Sequence, residues 1–154
     1  MSKKLQLKIV TPEKLILEEL VDQVTVPTTE GEITVLADHI PLIASLKSGD
    51  IVAMSDGEYI PMAVVGGFIE INKPASTQGG DKDLTIVTIL ADFAEHVSSI
   101  SDDEIEKAKK KAAELHKQAE NNEVVDFEHF ESELERSLTR VKIADKWKTK
   151  KYRK

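Results

Sequence analysis

Four histidines, His39, His96, His116 and His129, are the first residues to test for chemistry. No two of them have the spacing of an HExxH zinc helix, and a chain without cysteine has no thiolate metal site. His39 stands beside Asp38 in a turn, where a polar turn group is the simpler reading. Neither a Gly-x-Ser-x-Gly elbow nor a Walker loop is present. Gly66-Gly67 fits a close approach of two backbones or a bulge better than a phosphate cradle. Glu30 and Glu32 flank a turn and read as solvated. Arg136 and Arg140 are four residues apart, which puts both guanidinium groups on one face of a helix. On an exposed face the plain reading of that pair is ion pairing with its neighbours Glu133 or Glu135.

Charge is the other chemical signal. The chain carries −7, yet from Lys142 onward seven basic residues face a single acid, Asp145. An acidic body with a basic tail suggests a tail that meets an acidic surface; the plainer alternative is a solvated, frayed terminus. No basic groove with interleaved aromatic residues accompanies it, so nucleic acid is not an expected partner. No apolar run reaches the roughly 20 residues of a membrane helix, and no apolar core follows Lys3-Lys4, so neither a span nor a signal peptide is expected.

These residues need elements to position them, and the chain changes character near Ala91. Before it come short strands and tight turns. Leu5, Leu7 and Ile9 alternate with polar residues; one strand is expected from Leu20 to Pro27, then Ile33–Leu36, an extended run Ile40–Leu46, and Ile51–Met54. Ser55-Asp56-Gly57 signals a hairpin into Tyr59–Val65; Phe68–Ile71 follows, and Leu84–Leu90 is expected to be the last strand. The polar loop from Lys73 to Lys82 reads as an exposed insertion without chemistry. After Ala91, Ser101-Asp102-Asp103-Glu104 is a capping box. Its helix carries a stripe of Ile105, Ala108, Ala112, Leu115 and Ala119. Asn121-Asn122 ends it and Asp126 caps a second helix, with Phe127, Phe130, Leu134, Leu138, Val141, Ala144 and Trp147 as its stripe. The expected architecture is β + α: an N-terminal antiparallel β-sandwich over 1–92, then a C-terminal antiparallel two-helix hairpin with the basic tail over 93–154. A first helix that packs mainly through alanine buries little apolar area, so the hairpin interface should be weak and could open; the plainer alternative, which the sequence by itself favours, is a helical hairpin that never moves.

One string in the β half carries a resemblance: Val26-Pro27, Glu30-Gly31-Glu32, Val35-Leu36, His39, Pro41-Leu42 and Leu46. Ala63-Val64-Val65-Gly66-Gly67-Phe68-Ile69-Glu70, Val87-Thr88-Ile89-Leu90-Ala91-Asp92 and Asp126-Phe127 continue it. In this order, and with this layout, the chain resembles the epsilon subunit of the F-type proton-translocating ATP synthase. It departs at Thr34, where the family usually has Gly, and at Ala37-Asp38, where a Pro-Gly-like pair is usual. The resemblance implies a sandwich of about ten strands at the foot of the central stalk. It implies contacts with the gamma subunit and with the c-subunit rotor ring, near which Glu32 and His39 match family positions. It implies a hairpin that folds against the sandwich or extends into the alpha/beta catalytic hexamer and brakes ATP hydrolysis. If the second helix ran on, Lys142, Lys146, Lys150 and Arg153 would form one cationic stripe toward that hexamer. The location implied is the cytoplasmic face of a cell membrane, peripheral, through the complex.

No cofactor is required by this resemblance, but some members bind ATP in the folded hairpin as a regulatory ligand. Glu95 matches their upstream acid, and Arg136 and Arg140 match their helix-two arginines. Their Ile/Leu-Asp-x-x-Arg-Ala box aligns with Glu104-Ile105-Glu106-Lys107-Ala108, where Glu replaces Asp and Lys107 replaces Arg before Ala108. Lysine neutralises phosphate as a point charge without the two-pronged fork of arginine. The function expected is a non-catalytic stalk subunit that couples rotation to catalysis and inhibits ATP hydrolysis. The alternative is a free nucleotide-sensing module. A small sandwich hydrolase is disfavoured, since no nucleophile–base constellation is in view.

Overall fold

A computed structural model describes residues 3–73, 84–121 and 127–154, except for the side chain of Phe127. The Pro74–Lys82 part of the polar loop and the Asp126 cap fall outside the described residues. Ten strands form two five-stranded sheets. The first sheet has the order β2-β1-β9-β8-β5 and the second β10-β7-β6-β3-β4. The strands are β1 (Leu5–Val10), β2 (Leu15–Val21), β3 (Gln23–Thr28), β4 (Gly31–Leu36) and β5 (Leu42–Ser45). They continue with β6 (Gly49–Ser55), β7 (Glu58–Val65), β8 (Phe68–Asn72), β9 (Ile86–Leu90) and β10 (Phe93–His96). All pairs are antiparallel except β1 with β9. A short 3₁₀ turn, Val97–Ser99, leads to α1 (Asp102–Glu120) and α2 (Phe127–Trp147).

The alternation of residue types explains the sandwich. Leu5, Leu7 and Ile9 of β1 and Val87 and Ile89 of β9 point inward, where they meet Val24, Val26, Ile51, Ile60 and Met62 of the other sheet. The Ser55–Glu58 corner turns through Asp56 (φ 52°) and Gly57 (φ 83°), successive left-handed residues of the kind a tight hairpin favours. Gly67 is needed for space: a Cβ there would lie 2.0 Å from the Leu90 carbonyl oxygen. Gly67 therefore marks a close backbone approach, whereas Gly66 (φ 61°) lies against the Asp92 carboxylate.

Several expectations are corrected. The strand expected over 20–27 is two strands in different sheets, β2 and β3, broken at Asp22. Core-facing parity shifts by one residue there, from Val21 to Val24, because the chain changes sheets. The Asp22 carboxylate accepts from the Asp56 amide at 2.8 Å and its own amide donates to Met54, pinning the crossing. The extended run over 40–46 contracts to β5, bridged beyond its end through Leu46 to Thr28. Leu90 does not end the sandwich: β10 pairs with β7, so the second sheet runs to His96, past the boundary expected at 92.

The helices also differ from their expected stripes. The capping box forms as read: Ser101 accepts from the Glu104 amide and Glu104 accepts from the Ser101 amide. Ile105, Ala108 and Ala112 are buried, whereas Ala119 is exposed. On α2 the buried positions include Phe130, Ser137, Thr139, Ile143, Ala144 and Trp147, and Leu138 is exposed. The small polar Ser137 takes the inward position, so the contact face is rotated away from Leu138. α1 packs mainly on α2, and α2 in turn packs on β7, β6 and the 3₁₀ turn. Ile143, Ala144, Trp147 and Ile105 share a small apolar cluster with Ala63, Val97 and Ile100, separate from the sandwich core.

Candidate functional site

A cavity of about 440 Å³ opens between the two helices and β10. Its lining is Phe93 from β10, Glu104, Lys107, Ala108 and Lys111 from α1, and Glu133, Arg136, Ser137 and Arg140 from α2. Helical periodicity explains the convergence. Lys107 and Lys111 are one turn apart on α1, as Arg136 and Arg140 are on α2. Ala108 and Ser137 are small and let the helices approach. Four cations and two carboxylates therefore face one volume, which suits a polyanion once the local pairs are exchanged.

Those pairs are specific. The Arg140 Nε lies 2.8 Å from Glu95 Oε2, and its Nη2 lies 3.2 Å from Glu95 Oε1 and 3.7 Å from Glu104 Oε1. Lys111 holds Glu133 at 2.9 Å, which keeps the Glu133 carboxyl below its ordinary range. Hydrogen bonds from the Ser101 amide and hydroxyl do the same to Glu104. Arg136 stacks over the Phe93 ring, 5.5 Å from its centre, a cation–π contact that leaves its edge toward the cavity. Among the described residues Arg136 has no carboxylate within ion-pair distance, so neither Glu133 nor Glu135 holds it; Glu135 instead meets the Ser48 hydroxyl.

The residues matched to a nucleotide site, Glu95, Lys107, Ala108, Arg136 and Arg140, are thus brought together, Glu95 through its bond to Arg140. Lys111 and Phe93 were not singled out from the sequence. The four-residue step from Lys107 could have found Lys111; Phe93 has no signal of its own, because β10 was not recognised.

Glu32 and His39 are not brought together. They lie toward opposite ends of β4, an edge strand, and Glu32 to Leu36 alone spans about 13 Å at 3.3 Å per residue. Glu32 is exposed opposite Pro27; the His39 ring is within 2.8 Å of the Ile40 carbonyl oxygen. Nor do Lys142, Lys146, Lys150 and Arg153 form one helical stripe. α2 ends at Trp147, so Lys150 and Arg153 stand outside it. Lys146 bonds Asp50 at 2.8 Å, Lys150 lies over the Trp147 ring, and Arg153 bonds Glu19; Lys142 is exposed.

Among the described residues no group of His, Asp or Glu could hold a metal ion, and no helix is long and apolar enough to cross a membrane.

Residues 4–77 match a family model described as ATP synthase, Delta/Epsilon chain, beta-sandwich domain. The ATP synthase epsilon chain of Nitratidesulfovibrio vulgaris (strain DP4) is 36% identical over 143 residues, covering 93% of this chain and 97% of that protein. The ATP synthase epsilon chain of Desulforamulus reducens is 34% identical over 145 residues, covering 94% and 100%. A chain from the Euglena gracilis mitochondrial ATP synthase, OSCP/F1/c-ring in rotational state 1, superposes with a TM-score of 0.62 at 22% identity, over 94% of this chain and 79% of that one. A chain from the Tetrahymena thermophila mitochondrial ATP synthase central stalk/c-ring gives 0.51 at 13%, over 97% and 100%. At such identities the two structures show a shared fold. The two epsilon-chain relatives match through sandwich and hairpin alike, and this chain belongs to the ATP synthase epsilon chain family.

Proposed function

We propose that this chain is a non-catalytic central-stalk subunit of a proton-translocating ATP synthase, peripheral at the cytoplasmic side of the membrane, and that its helical hairpin restrains ATP hydrolysis. The observation that carries this is the unequal treatment of the two sheet faces. The hairpin covers the outer face of the β10-β7-β6 side, while among the described residues neither helix packs substantially on the other sheet. Register puts Leu15, Val10, Leu90 and Phe68 in one row across the outer face of that sheet, and Leu15, Leu90 and Phe68 are each more than 40% exposed. Ile43, on the neighbouring edge strand β5, is 72% exposed. An apolar row of this kind favours a permanent partner over water. Its occupant in this reading is the gamma subunit.

The rotor ring would lie along edge strand β4, whose Glu32, Thr34 and Leu36 are exposed, with His39 and Ile40 beyond its end. The extended hairpin would present Lys142, Lys146, Lys150 and Arg153 to the alpha/beta hexamer. ATP as a regulatory ligand is supported by the cation-lined cavity, whose volume is within the roughly 300–1,000 Å³ of ligand pockets. Lys107, Lys111, Arg136 and Arg140 would hold its phosphates. That site also supports the second reading, a nucleotide-sensing module acting outside a large complex.

Affinity capture of the tagged chain from its own cells separates the two readings. Recovery of alpha, beta and gamma subunits is expected, lost when Phe68 and Leu90 are changed to Asp. Recovery of the chain alone, with ATP retained, would favour the sensing module. Removal of residues 97–154 should preserve capture and raise ATP hydrolysis; unchanged hydrolysis would remove the restraint from the function.

A further inference from the structure

We propose that residues 147–153 form a latch that holds the hairpin docked on the sandwich, by engaging two carboxylates on different sheets, Asp50 of β6 and Glu19 of β2. The latch does not depend on the ATP synthase reading. It is carried by geometry that none of the expected roles of the tail requires.

The outer face of the second sheet presents Glu95, Ala63 and Asp50 as one row across β10, β7 and β6. Two strand spacings separate the acids, about 9.6 Å. On α2, Arg140 and Trp147 are seven residues apart, about 10.5 Å along the axis. The helix crosses the strands in register with that row. Arg140 meets Glu95, Trp147 meets Asp50, and Ile143 and Ala144 share the buried cluster with Ala63 between them.

Asp50 is the clearest sign of a built contact. Its side chain is only 10% exposed, and it accepts from Trp147 Nε1 at 2.9 Å and from Lys146 Nζ at 2.8 Å. Both of these side chains belong to α2. A carboxylate this buried is tolerated where it is paired, so the sandwich face is complementary to the docked helix end.

Past Trp147 the chain leaves the helix and turns back over the sandwich. Tyr59 and Tyr152 flank the indole, each with its ring centre 6.0 Å away, and Lys150 Nζ lies 5.1 Å from the indole centre. The Arg153 amide donates to the Tyr59 carbonyl at 2.8 Å. The Arg153 guanidinium then grips Glu19 with both Nη atoms, at 2.6 and 2.5 Å. Tyr59 is on β7 and Glu19 on β2, so the strap runs from one sheet to the edge of the other. Lys146, Lys150 and Arg153 are thereby committed to the docked arrangement. Any acidic partner that needs them must first displace Asp50 and Glu19.

The absence of cysteine makes a direct test available. Ala63 is fully buried beneath α2, so Ala63→Cys places the sole thiol where a reagent reaches it only after undocking. In that background, Glu19→Arg, and separately removal of residues 148–154, should each speed thiol labelling by about tenfold or more. Adding Arg153→Glu to Glu19→Arg should return labelling toward the parent rate. If neither change speeds labelling, or if the exchanged pair stays as fast as Glu19→Arg alone, the latch is refuted. Should Glu19→Arg unfold the sandwich, as read by hydrogen exchange in β1 and β9, the truncation decides, because it alters no sandwich residue.

Discussion

Docking of the hairpin through Ile143 should be separable from folding of the sandwich. Ile143 is 2% exposed, yet it belongs to the small interface cluster and not to the sandwich core. Ile143→Ala removes three side-chain carbons, about 2.4 kcal/mol at 0.8 kcal/mol per buried methylene. A rigid core would add a cavity term and bring the cost to as much as about 5 kcal/mol. Here the two bodies can close up, so about 2–3 kcal/mol is expected. Each 1.4 kcal/mol is tenfold in an equilibrium, so opening of the docked state should rise by roughly 30- to 150-fold. The released helices, each about 20 residues, are marginal without packing and should lose amide protection with it. Hydrogen exchange read by mass spectrometry distinguishes the parts. Peptides from α2 should exchange faster by that factor while β1, β6 and β9 hold their protection. A change below about fivefold in α2, or an equal loss in the strands, would refute a separately docked hairpin.

Gly67→Ala should destabilise the sandwich itself. A Cβ would meet the Leu90 carbonyl oxygen at 2.0 Å on a backbone of φ 102°, so a loss of about 3 kcal/mol or more and a fall in Tm of at least about 6 °C are expected by calorimetry. Acid should loosen the latch. Arg153 holds the Glu19 carboxyl below its ordinary range, with Lys4 acting in the same sense and burial and Asp56 opposing. A depressed carboxylate contributes stability that is complete above its unfolded value and is lost as pH falls through the lowered folded one. The labelling rate at position 63 in the Ala63→Cys chain, divided at each pH by that of an unstructured cysteine peptide so that the loss of thiolate cancels, should therefore rise below the ordinary carboxylate range, and Glu19→Gln should abolish the Glu19 share of that rise. Arg136→Ala with Arg140→Ala should weaken ATP binding in a nucleotide titration. Arg136→Ala with Lys107→Ala should weaken it too while leaving the Arg140–Glu95 pair; unchanged binding in both would put the ligand elsewhere.

How much of this was legible in the sequence depended on whether a signal was local. Alternation at Leu5, Leu7 and Ile9, the Asp56-Gly57 corner and the Ser101–Glu104 capping box each depend on a few adjacent residues, and each formed as read. The change of sheet at Asp22 was not legible, because β2 pairs back onto β1 while β3 pairs with β4 and with β6, some thirty residues further along the chain. β10 is four residues long and stands between a turn and a 3₁₀ segment, too short for any periodicity. The spacing of Arg136 and Arg140 was enough to place both at one cavity. Their different fates, one stacked on Phe93 and one bound to Glu95, depend on the strand that was missed. The tail was read as a run of charge, and charge alone carries no direction. Its direction is set by Glu19, Asp50 and Tyr59, three residues unremarkable in sequence.

The composition of the docking face bears on whether the hairpin can move. Between Arg140 and Trp147 the aliphatic surface in the cluster around Ala63 comes from Ile143 and Ala144, with Val141 partly buried against it, and the ends of the contact are an ion pair and an indole–carboxylate bond. A paired buried charge adds little net stability over an apolar pair of the same shape, because desolvation offsets most of the attraction. Breaking one partner away is costly only if the other stays buried. When the whole hairpin lifts, Glu95, Asp50, Arg140 and Lys146 all regain water together, and that penalty does not arise. A one-turn slip of α2 on the sheet would instead leave Glu95 and Asp50 covered and unpaired. The face therefore penalises misregistered docking more than release. That combination suits an element that must either seat in a single register or leave entirely.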